Sequence, residues 1–124
     1  MAELGSHILL DLDGCPEDLL ADKAKLRFKL RQAAIAAGAT IVGEAFHEFN
    51  PPGVSGVLLI AESHLSIHTW PSDGKATLDV YTCGEAFDAG KAADLLVSGM
   101  RAEHHRRVEV SRGFDARRLS EQIA

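Results

Sequence analysis

The 124-residue sequence predicts an α+β domain: a two-layer sandwich with an antiparallel sheet and two helices on one face. Two observations carry this expectation. Four strand-like runs follow one another on short turns between residues 40 and 82, which makes neighbouring strands antiparallel. The stretches of helical spacing lie before and after that block, so both helices have the same sheet to cover.

Residues 7–12 form a short apolar run ending at the turn-prone Asp13-Gly14, the pattern of a first strand. Pro16 opens a helix whose first turn holds Glu17 and Asp18, as the helix dipole favours. Leu19, Leu20, Leu26, Leu30 and Ala34 recur near helical spacing as its buried stripe, and Gly38 is a natural cap. Residues 40–49 begin β-branched and then alternate through Phe46, His47, Glu48 and Phe49. After the turn Asn50-Pro51-Pro52-Gly53, residues 54–61 form the second strand of a hairpin. Residues 65–70 and 75–82 follow, separated by Pro71-Ser72-Asp73-Gly74. In the latter run Ala76, Leu78, Val80 and Thr82 alternate against Thr77, Asp79 and Tyr81. A helix over 88–100 and a strand over 106–112 complete the order β-α-β-β-β-β-α-β. His104-His105 reads as a solvated helix end, and the charged residues from Arg112 onward as a frayed terminus.

At 13.3 kDa the chain holds one core. Its net charge of -5 argues against a nucleic-acid binder, which presents a basic surface. Cys15 and Cys83 stand far apart without a C-x-x-C motif, so neither a disulfide framework nor a zinc site is expected. Residues 1–14 lack the pattern of a signal peptide, and the apolar runs are too short to span a membrane; the expectation is a cytoplasmic protein with no membrane partner.

The chemistry concentrates in Glu62-Ser63-His64-Leu65-Ser66-Ile67-His68-Thr69-Trp70-Pro71. On a strand His64, Ser66, His68 and Trp70 share one face, and Ser63, Leu65, Ile67 and Thr69 the other. A metal site built on His64 and His68, with His47 from the next strand, is disfavoured. The pair is four residues apart, about 13 Å on an extended chain, and a metal centre needs converging ligands. Spacing alone favours a half-buried strand whose histidines are simply hydrogen-bonded. Nucleophile chemistry is the third reading, and pattern alone leaves open which of the serine, histidine and cysteine side chains are neighbours.

That block, with Asp79-Val80-Tyr81-Thr82-Cys83-Gly84, resembles the prokaryotic S-adenosylmethionine decarboxylase proenzyme family. The similarity reaches outward to Gly5 and His7, to residues 38–42, to Phe46-His47 and Phe49, and to residues 53–57, covering roughly residues 5–112. The resemblance implies that Ser63 attacks the Glu62 carbonyl, that the resulting ester is eliminated to dehydroalanine, and that hydrolysis leaves a pyruvoyl cofactor derived from Ser63. The products would be residues 1–62 and 63–124. By the same match His68 is the processing acid/base, and Ser55 assists the intermediate. The pyruvoyl ketone would form a Schiff base with an amino-acid-type substrate, and Cys83 would protonate the substrate carbon. A thiol suits that step because its ordinary pKa of about 8.5 keeps it mostly protonated near neutrality. Cys15 and Ser66 are assigned structural roles. Two protomers are expected to pair, with the site near their interface.

The family usually continues Trp-Pro with Glu-aromatic-Gly-aromatic, where this chain has Ser72-Asp73-Gly74-Lys75. In the family that glutamate holds the ribose hydroxyls, and aromatics matching Phe49 and Trp70 flank the adenine. Losing such a contact costs roughly 1.5–3 kcal/mol; Asp73, one position along, is the remaining acidic candidate. Relatives of the family act on L-arginine or L-ornithine, so these stand as alternatives to S-adenosylmethionine. A non-catalytic regulatory paralogue is a further class, opposed by the presence of Ser63, His68 and Cys83 together.

Overall fold

The computed structural model describes residues 4–83, 86–114 and 119–124. The chain runs β1 (Gly5–Asp13), α1 (Glu17–Leu20), α2 (Lys23–Ala36), β2 (Thr40–Phe49), β3 (Gly53–Ala61), β4 (Ser63–Trp70), a 3-10 turn (Pro71–Asp73), β5 (Lys75–Thr82), α3 (Ala89–Gly99), β6 (His104–Arg112) and β7 (Leu119–Ile123). Among the described residues seven strands form one sheet in the order β2-β3-β4-β5-β1-β6-β7, with every neighbouring pair antiparallel. The chain lays down β1 near the centre and crosses through α1 and α2 to the β2 edge. It then meanders back to β1, crosses through α3, and adds β6 on the other side.

The expected two-layer α+β sandwich is the fold found. Two details differ. The first helix is split: α1 ends at Leu20, and α2 restarts behind Asp22, whose carboxylate accepts a 3.0 Å hydrogen bond from the Lys25 N–H. This N-cap satisfies a donor the helix start would leave orphaned. Beyond Arg112 the terminus is not all frayed, since β7 pairs with β6 from Arg106↔Ile123 to Val110↔Leu119. His104 and His105 open β6 rather than ending a helix. Gly84, the last residue of the second motif, lies outside the described residues.

The core lies between the helices and one face of the sheet. Ile8 and Leu10 of β1, Leu58 of β3, Leu65 and Ile67 of β4, and Leu78 and Val80 of β5 are buried against Leu26 and Leu30 of α2 and Leu96 of α3. Each such side chain contributes roughly 1.5–3 kcal/mol. Buried Thr69 ties the layers, donating to the Leu20 carbonyl at 2.7 Å and accepting from the Val54 N–H at 2.9 Å. Gly38, at φ +95°, closes α2 where an added Cβ would stand 2.8 Å from the Ala86 carbonyl oxygen. Cys15 belongs to this core, where burial pushes its thiol pKa up. That leaves it a packing role.

Strand alternation sends the other residues to the opposite face, which none of the three helices covers. His64, Ser66, His68 and Trp70 of β4 stand there beside Tyr81, Asp79, Thr77 and Lys75 of β5.

Candidate active site

Ser63 opens β4 immediately after Glu62, and its φ is +134°. That region is essentially reserved for glycine, and an L-residue held there stores of order 1–3 kcal/mol of strain. Ser63 pairs with Thr82 across β4 and β5, which brings the next residue, Cys83, beside the Glu62-Ser63 junction. The Cys83 backbone N–H donates to the Glu62 carbonyl oxygen at 3.4 Å. A hydrogen-bond donor therefore already faces the carbonyl that precedes Ser63. Cys83 itself is exposed and free, and Ser63 is half-buried.

His68 and Ser55 form a second group. They are direct partners across β3 and β4, with Ser55 Oγ 2.8 Å from His68 Nδ1. A cavity of about 300 Å³ opens beside them, lined also by Ala45, His47, Val57 and Ser66. Another of similar volume, near Asp11, Lys75 and Arg106, contains none of the predicted residues. His68 stands five residues along β4 from Ser63, about 17 Å on a strand. One chain thus brings Glu62, Ser63 and Cys83 together, and Ser55 with His68, but does not join the two groups.

Phe49 and Trp70 lie at the far end of the second group. Phe49 is opposite Gly53 on β3, and the register of Ser55 with His68, continued by two residues, sets Trp70 on Gly53's other side. Both rings are half exposed, and Phe49 packs edge-on to His47 with ring centroids 4.6 Å apart. Asp73 is exposed on the 3-10 turn, where its charge acts on Lys75. Among the described residues no three Cys, His, Asp or Glu side chains converge as metal ligands. His64 instead lies against Tyr81, ring centroids 5.8 Å apart.

The sequence reading missed a chain of hydrogen bonds crossing four strands. Arg112 Nη1 donates to His7 Nδ1 at 3.0 Å, His7 Nε2 meets Asp79 Oδ1 at 3.0 Å, and Ser66 Oγ donates to Asp79 Oδ2 at 2.8 Å. A guanidinium only donates, so Nδ1 accepts and Nε2 carries the proton toward Asp79. Polar residues at the outward positions of β1 and β5 were the available signal. Arg112, 105 residues from His7, left none.

Fold and site first define a class: an α+β sandwich with a strained serine at the tip of a central hairpin and a thiol beside it. The S-adenosylmethionine decarboxylase family model matches residues 6–113. The S-adenosylmethionine decarboxylase proenzyme of Caldicellulosiruptor saccharolyticus is 43% identical over 114 residues, 92% of each chain. That of Pyrococcus furiosus is 40% identical over 115 residues, 93% of this chain and 83% of the relative. The crystal structure of the adenosylmethionine decarboxylase from Aquifex aeolicus superposes with a TM-score of 0.86 at 37% identity, covering 98% of this chain and all of that one. The Trypanosoma brucei AdoMetDC-delta26 monomer shares the fold at a TM-score of 0.61 and 10% identity, with this chain spanning 45% of its length. The chain belongs to the S-adenosylmethionine decarboxylase family.

Proposed function

We propose that this chain is a proenzyme that cleaves its own Glu62-Ser63 bond, converts Ser63 to a pyruvoyl group, and decarboxylates S-adenosylmethionine for polyamine synthesis. The observation that carries the reading is the strained Ser63 with the Cys83 N–H on the carbonyl before it. Attack by Ser63 Oγ on the Glu62 carbonyl carbon breaks the peptide C–N bond and forms an ester C–O bond. The oxygen that turns anionic during this attack is the one facing the Cys83 N–H, and rearrangement releases the backbone strain. A base then removes the Ser63 α-proton, the Cβ–Oγ bond breaks, and Glu62 leaves as a free carboxylate. Hydrolysis with loss of ammonia completes the group.

The site residues fit that group, since the serine that yields it stands at the turn into β4 with the Cys83 thiol beside it. The pyruvoyl group supplies an electron sink for the bond to the departing carboxylate. The chain's own residues do the rest. Cys83 holds the proton destined for the substrate carbon. Phe49 and Trp70 lie farther from Ser63 than His68 does, so the planar base they would take belongs to a ligand whose amino-acid end reaches the pyruvoyl of a second copy.

His68 is too far from Ser63 to act within its own chain, which supports a homodimer in which a second copy delivers Ser55 and His68. The uncovered sheet face suits this pairing. It exposes Leu9 and Leu59 and carries half-buried Val57, Val108 and Val110. A cytoplasmic location fits the free thiol the reading requires.

The test is carbon dioxide release from purified protein given S-adenosylmethionine, L-arginine or L-ornithine side by side. Release from S-adenosylmethionine alone is expected; release from either of the others in its place would reassign the substrate.

A further inference from the structure

The aromatic ring between His7 and His64 on the open face has no part in the chemistry above, yet side chains from three strands converge on it. Tyr81 faces the open side of β5 two residues before Cys83, which follows directly on the strand's end at Thr82. Its ring centroid is 5.3 Å from that of His7 and 5.8 Å from that of His64, both tilted, and 5.7 Å from the Arg112 guanidinium carbon. Gly5 makes the space, since a Cβ there would stand 2.9 Å from both the ring Cε1 and the hydroxyl oxygen. His7 is itself fixed from both sides by Arg112 and Asp79. The ring is thus clamped from β1, β4 and β6, and its hydroxyl lies over Gly5, one residue beyond the Ser6↔Thr82 pair and so level with Cys83.

We propose that Tyr81 is a positioning residue for Cys83: its hydroxyl holds the sulfur at the open face and donates to the thiolate left when the proton has gone. The role rests on Cys83 being the proton donor. The Sγ–H proton passes to the substrate carbon, the bonding pair stays on sulfur, and the phenol keeps its own proton while stabilising the new charge. Partial burial, then the hydrogen bond and negative charge of Cys83, push the Tyr81 phenol above its usual pKa against the pull of Arg112, so it remains a donor. The charged or titratable groups around the pair are His7 on β1, His64 on β4, Asp79 on β5, Arg112 on β6 and Glu62 at the turn.

Tyr81→Phe keeps the ring and removes only the hydroxyl. Self-cleavage and KM should be unchanged while kcat falls roughly 10-fold, the effect of losing a hydrogen bond to a charged group. A second readout needs no pyruvoyl. In the uncleaved Ser63→Ala background, iodoacetamide alkylation of Cys83 at fixed pH, followed by peptide mass spectrometry, should slow several-fold in Tyr81→Phe. Buried Cys15 is the internal reference. Wild-type kcat, or a lowered kcat with an unchanged alkylation rate, would overturn the proposal. Full turnover by Cys83→Ala would withdraw the proton-donor reading instead, and the alkylation rate would still show whether Tyr81 controls the thiol.

Discussion

The main-chain N–H of Cys83 donates to the carbonyl oxygen of Glu62 at 3.4 Å, so one residue serves the hairpin tip with its backbone and the open face with its side chain. The two contributions separate cleanly by mutation. Cys83→Ala retains the N–H and should self-cleave like the wild type, seen as two bands on a denaturing gel. Its decarboxylation should fall by about 10²–10⁴, the range for losing a general acid. Failure to cleave would move the side chain into the processing step.

The separation of His68 from Ser63 predicts complementation between chains. His68→Ala alone and Ser63→Ala alone should each stay intact. When the two are co-expressed, the His68→Ala chain should be cleaved by the imidazole of its Ser63→Ala partner. Mass spectrometry of the mixture decides: no cleavage in co-expressed pairs would end the shared-site reading.

Acid should destabilise the fold through two carboxylates held in surface ion pairs. Arg27, then Arg31, hold the Glu44 carboxyl below its ordinary 4.5, and Lys75 holds Asp13 below its ordinary 3.8. A depressed folded-state pKa gives stability that is present above the unfolded value and lost as pH falls through the folded one. Melting temperature should therefore be flat from pH 7 down to about 5 and decline below it. Glu44→Gln with Asp13→Asn should flatten the decline, and an unchanged slope would contradict the assignment.

Two stability changes test the packing. Leu65→Ala, fully buried at the centre of β4, should cost about 2–5 kcal/mol in denaturant unfolding. Asp22→Ala should cost about 1 kcal/mol by uncapping α2. A Leu65 cost no larger than the Asp22 cost would mean the core is not where it is drawn.

What was legible in the sequence follows the strength of each local signal. β2 and β5 were readable to the residue because turn chemistry bounds them and β5 alternates without a break. The split between α1 and α2 was hidden because Leu19, Leu20 and Leu26 continue the apolar stripe across it, and only the Asp22 cap marks the restart. β7 left no trace, since all five of its residues are exposed and no alternation records its pairing. The motif residues were identified by resemblance, yet their grouping was not. The same strand ruler that separated His64 from His68 also separates Ser63 from His68. The Arg112-His7-Asp79-Ser66 chain joins residues up to 105 positions apart, beyond any local pattern.

The central claim is cleavage at the strained serine, and intact-mass spectrometry of the purified protein tests it most directly. The account predicts two fragments, residues 1–62 ending in a free Glu62 carboxylate and residues 63–124 beginning with a pyruvoyl group in place of Ser63. A single uncleaved chain of 13.3 kDa under native purification would contradict it.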